Sequence, residues 1–169
     1  EMWTQLTRDL DGDGTPDVYG VAGLNMEGLV WSAGGDFVND ERTGFPTEQS
    51  DLAALEKAYK YLQDAYYTFN DGKGIAPDAS MNMTGDATTL FVQEMVATVI
   101  AGSWELATIQ GNSFDWDIAY VPAFEAAPTK NAWSGSVSYA IYSGIAPEKL
   151  EAAWKLVEYI GSPEGQEIL

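Results

Sequence analysis

The sequence predicts an α/β fold on three observations. Helix-type and strand-type patterns alternate along 169 residues with no repeat period, two amphipathic helices stand out at 48–67 and 148–160, and the β-branched run Val96 to Ile100 suits a buried strand. Residues 1–9 read as the end of a helix, with Met2, Trp3 and Leu6 apolar, running into an acidic Gly-rich turn over 9–17. Val18 to Leu24 is strand-like, and Leu29 to Ala33 fits either helix or strand before Gly34-Gly35 breaks it. Residues 36–46 carry Asn39, Asp40, Gly44 and Pro46 and leave room for a short hairpin at most. In 48–67, Leu52, Leu55, Tyr59, Leu62 and Tyr66 recur at three- and four-residue spacings as one apolar stripe, with Thr47 or Ser50 to cap the start. A loop over Asn70 to Gly74 ends it, with Pro77 beyond.

A further helix is expected from Asp86, carrying Leu90, Phe91 and Met95, followed by the strand 96–102 and, directly after it, Trp104. Residues 116–124 read as a strand stopped by Pro122, 125–134 as a loop, and 136–143 as a strand with one buried face. Pro147 opens the helix 148–160, whose face of Leu150, Ala153, Trp154, Val157 and Ile160 places Trp154 in a core, and Gly161 ends it. Ser162-Pro163 then announces another helix just before the last residue, and the first residue is Glu1 rather than Met. The chain therefore reads as an internal piece of a longer protein.

Composition removes whole classes of chemistry. There is no Cys and no His, so disulfides, thiolate metal sites, Cys nucleophiles and His-based general base catalysis are excluded. With 8 Lys and Arg against 26 Asp and Glu, the formal net charge is −18, which repels phosphate backbones and anionic headgroups. Nucleic acid is therefore not an expected partner, and hard cations are. The apolar stretch Met95 to Gly102 is too short to span a bilayer, so no direct membrane insertion is expected of this segment. No P-loop and no GxGxxG after a strand is present, and no pair of carboxylates stands out as a glycosidase pair. The chain is expected to bind, not to catalyse.

The sharpest motif is Asp9-Leu10-Asp11-Gly12-Asp13-Gly14-Thr15-Pro16-Asp17. Asp9, Asp11, Asp13 and Asp17 fall at positions 1, 3, 5 and 9 of a calcium loop, Gly14 at the sharp-turn position 6, and the Thr15 carbonyl at position 7. Gly20 stands at position 12, where a bidentate Glu belongs. The loop is thus either a structural Ca2+ site closed by a distant ligand or of low affinity, or a solvated Asp/Gly turn between helix and strand. Six Trp residues form the second signal, since an indole stacks on the apolar face of a sugar ring while its N–H finds a partner. Trp31, Trp104 and Trp133 lie near element ends beside Gly34-Gly35, Gly102 and Gly135, where α/β folds place ligand clefts.

Several segments together resemble the family 1 extracellular solute-binding proteins, the maltose-binding-protein-like receptors of ABC importers. They are the helix and Asp/Gly turn leading to Asp17-Val18-Tyr19-Gly20, the Trp31-Ser32-Ala33-Gly34-Gly35-Asp36 step, and the helix near 52–67 with Gly74-Ile75-Ala76-Pro77. Gly102-Ser103-Trp104, Phe114 to Pro122, Ala152-Ala153-Trp154 and Tyr159 to Gln166 follow in the family's order. One departure is Gln93-Glu94-Met95, where members usually carry a Gly-Lys pair, and the chain is about half a two-lobe receptor.

The resemblance implies a three-layer periplasmic-binding-protein-like lobe, with a mixed sheet flanked by helices, truncated relative to the two-lobe fold. Residues 1–120 map to most of the C-terminal lobe, and 121–169 to hinge-crossing and partial N-terminal-lobe segments. It implies an ABC permease as partner, an extracellular or periplasmic location with a lipoprotein anchor, and Trp31, Trp104, Trp133 and Gly135 at the ligand. With Arg8 and Arg42 the only arginines, a neutral sugar or oligosaccharide fits better than an anion. The alternative is a calcium-stiffened carbohydrate-binding or adhesion module of a surface protein.

Overall fold

The computed structural model describes residues 1–78, 86–124 and 138–168. The chain divides into two compact units, Glu1–Trp133 and Ser134–Leu169. In the first, α1 (Met2–Leu6), α2 (Met26–Ser32), α3 (Gln49–Tyr67), α4 (Ala87–Val92) and α5 (Leu106–Gln110) follow in order, with a 3-10 turn at Ser103–Glu105 leading into α5.

The expected strands at 18–24 and 96–102 do not form as continuous strands; the two segments meet only at isolated parallel bridges. Tyr19 N–H donates to Met95 O at 3.0 Å and Ala97 N–H to Tyr19 O at 2.8 Å. Ala22 N–H donates to Thr98 O at 3.0 Å and Ile100 N–H to Ala22 O at 2.9 Å. Parallel bridges form at Tyr19 with Val96 and at Ala22 with Val99, and Arg8 bridges Val18 antiparallel. No longer strand is assembled among the described residues, and the mixed sheet flanked by helices is not seen in them. The cause is at residues 20 and 21, whose polar groups turn away from the ladder. Gly20 N–H donates to Thr7 Oγ1, Gly20 O accepts from Thr98 Oγ1 at 2.7 Å, and Val21 N–H reaches Ile75 O at 3.1 Å. Residues 116–124 likewise carry no strand pairing. There Asp117 Oδ1 takes the Ile118 N–H at 2.8 Å, a local bond that competes with a ladder. The candidate strand 136–143 lies in part outside the described residues, and its described part, 138–143, is irregular.

Helix α3 forms where its periodicity places it, but it buries a different face. Ala54, Ala58 and Ala65 are buried, whereas Leu52 and Tyr59 from the expected stripe are exposed. Small side chains win this face because α2 and the Gly34-Gly35 step come close to it: a methyl added at Gly35 would press on Ala54 Cβ and the Asp51 backbone. The end of α3 is then locked by the following loop. Ile75 N–H and Ala76 N–H both donate to Ala65 O, at 2.7 and 3.2 Å, and this draws Ile75 and Ala76 into the core.

Helix α2 resolves the ambiguity at 29–33 in favour of helix, because Asn25 caps it by accepting the Gly28 N–H at 2.7 Å. Asp86 caps α4 in the same way, its Oδ1 accepting Thr89 N–H at 2.9 Å. Tyr19, Ala22, Leu90 and Val96 form a core cluster, with Ala87, Phe91 and Met95 packed against it.

In the second unit, α6 (Pro147–Ile160) starts on its proline as expected. Ser162 accepts Gly165 N–H at 3.1 Å ahead of α7 (Pro163–Ile168). Trp154 is not the core residue its spacing implies: it is 60% exposed and α6 buries no residue. A unit this small offers α6 only the short α7 to pack on, among the described residues.

Two outcomes follow. At Gly20 a Cβ would collide with the Trp3 carbonyl, so Gly20→Ala is expected to cost about 2 kcal/mol by overpacking, read as a lowered denaturation midpoint. The Asp86 carboxyl is held below its ordinary pKa, first by the Thr89 backbone N–H and then by its side chain. A folded pKa below the unfolded one stabilises above the ordinary Asp value and loses that stabilisation as pH falls through the folded value. Asp86→Ala should therefore lower the melting temperature at neutral pH, and the gap between the two proteins should close on acidification.

Candidate binding site

The acidic turn is organised by its own backbone. Asp9 accepts from Gly12 N–H at 2.7 Å and from Gly14 N–H at 2.9 Å, one on each carboxylate oxygen. Asp17 Oδ2 accepts from Leu10 N–H at 2.6 Å and more weakly from Asp11 N–H at 3.4 Å. Asp11 and Asp13 accept from the N–H groups two residues on, Asp13 and Thr15, at 3.0 and 2.7 Å. Gly12 and Gly14 have φ of 80° and 96°, the left-handed region that lets the chain wrap this tightly.

This wrapping brings carboxylate oxygens of Asp9, Asp11 and Asp17 within 4.8 Å of one another, while Asp13 stands outside the trio. Oxygens on opposite sides of one calcium ion, each about 2.4 Å from it, lie about that far apart, so three of the expected ligands fit one ion. The sequence pattern offers no hint of Lys73, whose ammonium lies 4.0 Å from Asp9 Oδ2 and returns some positive charge to the cluster. The two residues are too far apart along the chain for any spacing rule to link them.

The aromatic candidates are placed by different elements. Trp31, in the last turn of α2, donates its Nε1–H to Asp36 Oδ1 at 3.3 Å, and the same oxygen accepts Phe37 N–H at 2.7 Å. Asp36 N–H in turn donates to Asp51 Oδ1 at 3.2 Å, so the Gly34-Gly35-Asp36 step ties Trp31 to the start of α3. Trp104 sits in the 3-10 turn at the end of the extended segment and is 65% exposed. Trp133 and Gly135 lie outside the described residues.

Near the Trp104 turn the first unit holds a cavity of about 410 Å³, bounded by α1, the 97–103 segment and residues 116–122. Its lining is largely apolar and includes Trp3, Phe91, Trp116 and Tyr120. Trp3 Nε1 is buried and has no hydrogen-bond partner among the described residues. Burial raises the pKa of Tyr19, with the Asp78 carboxylate adding to the effect, so this phenol stays neutral at physiological pH.

A family model described as bacterial extracellular solute-binding protein matches residues 9–169. The chain belongs to this family. None of the curated proteins matches significantly. Among solved structures, the maltose/maltodextrin-binding domain MalE from Bdellovibrio bacteriovorus, bound to maltotriose, is similar with a TM-score of 0.74 at 20% identity, over 95% of this chain and 42% of that one. The ABC substrate-binding protein Lmo0181 from Listeria monocytogenes, in complex with cycloalternan, is similar with a TM-score of 0.65 at 17% identity, over 97% of this chain and 39% of that one. The chain thus spans less than half the length of either neighbour and shares their fold over that span. Membership in an extracellular solute-binding family sets its place outside the cytoplasm, and no described helix is long and apolar enough to cross a membrane.

Proposed function

We propose that the protein is the substrate-binding component of an ABC importer and takes a neutral sugar or oligosaccharide. The observation that carries this is the family match along 9–169, joined to fold similarity with two structures whose ligands are maltotriose and cycloalternan. The chemistry of the chain supports it: Trp104 exposes an aromatic face at the end of the extended segment, and only two arginines are available to clamp an anion. On this reading residues 1–120 belong to a C-terminal lobe whose helices flank a mixed sheet completed by the rest of the protein. Residues 121–169 cross the hinge toward the other lobe, the closed lobes dock on the permease, and a lipid anchor holds the receptor at the cell surface. The role is binding without catalysis. A carbohydrate-binding module of a surface enzyme draws no support from a receptor-family match over nearly the whole chain.

We also propose that the acidic loop holds a structural Ca2+ through Asp9, Asp11 and Asp17, with Asp13 and the Thr15 carbonyl completing the set. The supporting observation is the spacing of the three carboxylates. Gly20 at the closing position and the Lys73 ammonium beside Asp9 both argue for weak affinity, of the kind seen in extracellular modules.

Calorimetry of the full-length protein against neutral oligosaccharides, starting with maltotriose, should give binding heats that Trp104→Ala weakens by about tenfold. Tight binding of an anion or a peptide with no response to any sugar would reject the assignment. For the ion, stabilisation grows as RT ln(1 + [Ca2+]/Kd), about 1.4 kcal/mol at ten times Kd. Melting temperature should therefore climb only at high calcium, and Asp9→Ala should remove the increase. Superimposable melts in chelator and saturating calcium would dismiss the site.

A further inference from the structure

Most glycines of this chain that meet a constraint are explained by backbone conformation or by close approach of another main-chain segment, but Gly102 is not. Its φ of −91° and ψ of 167° are ordinary extended values open to any residue. What excludes a side chain is the indole of Trp104, two residues on. A methyl at Gly102 would fall far inside contact distance of Cη2, Cζ2 and Cζ3, at nearly equal distances from all three. Three consecutive ring atoms equally near place that methyl over the face of the six-membered ring, not at its rim. The backbone of Gly102 therefore lies bare under one face of the indole. The indole is nonetheless 65% exposed, so the arrangement does not serve to bury it.

We propose that Gly102 is a positioning residue, which seats the Trp104 indole against the backbone so that its opposite face is presented at a fixed height and tilt for a pyranose ring. This rests on the sugar-binding reading above. The axial C–H groups of a sugar form an apolar face that packs flat on an aromatic ring, and the contact falls off steeply with tilt and separation. A freely rotating exposed indole would also have to give up rotamer freedom on binding, a cost the glycine seat removes in advance. With any side chain at 102 the ring must swing away, and little stability is lost because so much of it is already solvated.

The test uses the full-length protein with Gly102→Ala, Trp104→Ala and the double variant. A proton lying over an aromatic face is shifted upfield, so the Gly102 Hα resonances should be upfield in the parent and return to ordinary values in Trp104→Ala. With maltotriose, or another neutral gluco-oligosaccharide that the parent binds, Gly102→Ala should weaken binding by about tenfold while leaving the melting temperature unchanged or slightly raised. The double variant should bind no more weakly than Trp104→Ala alone, since the glycine acts only through the ring. Additive losses, or an ordinary Gly102 Hα shift in the parent, would overturn the positioning role whatever the ligand proves to be. An upfield Gly102 in a parent that binds no sugar would instead overturn the sugar-binding reading, and the platform role with it.

Discussion

Residues 18–22 carry backbone connections to three other parts of the chain, and the first unit depends on their meeting. Thr7, at the end of α1, receives the Gly20 N–H; Ile75, just past α3, receives the Val21 N–H; and the 95–100 segment pairs on both sides of that step. The Thr98 hydroxyl donating to Gly20 O joins residues 78 positions apart. Each such bond closes a long loop, and its entropy is recovered only when the others form as well, so the region is expected to assemble cooperatively. Val21 and Tyr19 are buried because so many segments converge there. The same convergence explains why the pairing stays short, since a backbone that shares its donors among three neighbours cannot also run a continuous ladder with one.

What was legible in the sequence follows from the range over which each signal acts. The proline start of α6 and the Ser162 cap of α7 are set by residues within one turn of the boundary, and local chemistry decides them; α3 differs, since Glu48 and not Thr47 or Ser50 stands at its N-cap, without a side-chain bond, and its end is tied by Ile75 and Ala76. The buried face of α3 was not legible, because hydrophobicity points to Leu52 and Tyr59 while burial goes to Ala54, Ala58 and Ala65. Which face is buried depends on how closely the neighbour approaches, and that neighbour, the Gly35 backbone, favours small residues over apolar area. Asn25 is a local signal for α2: a residue of the preferred capping type stands directly before the helix and decides 29–33 for helix. Trp154 fails for another reason. Amphipathic spacing states that a face seeks a partner and says nothing about whether the partner lies within the same stretch of chain.

At the candidate site the acidic loop shows the same division. The glycines at 12 and 14 and the alternating aspartates specify the wrap, and the structure adopts it. Which carboxylates converge is a matter of side-chain direction: Asp9, Asp11 and Asp17 come together and Asp13 does not, although each of the four accepts a backbone N–H. The place of Trp104 directly after a strand-like run marks it in the sequence. The seat beneath it is not marked, because a Gly two residues before a Trp carries no meaning until the turn folds one onto the other.

The net charge of −18 bears on the ligand and the ion in opposite ways. A neutral oligosaccharide approaches an acidic protein without electrostatic cost, and carboxylates near a cleft are strong acceptors for its hydroxyl groups. Anions with the same number of polar atoms would be repelled at long range and find few guanidinium partners at short range. Cations are concentrated instead, within a Debye length of about 8 Å at physiological ionic strength. If the loop takes the proposed ion, three convergent carboxylates without a closing Glu would hold it weakly, and the surrounding field would raise the local calcium concentration. On the proposed reading, selectivity for neutral ligands and occupation of a weak calcium loop would draw on the same excess of acids, which would make a surface otherwise costly in self-repulsion useful outside the cell, where calcium is abundant.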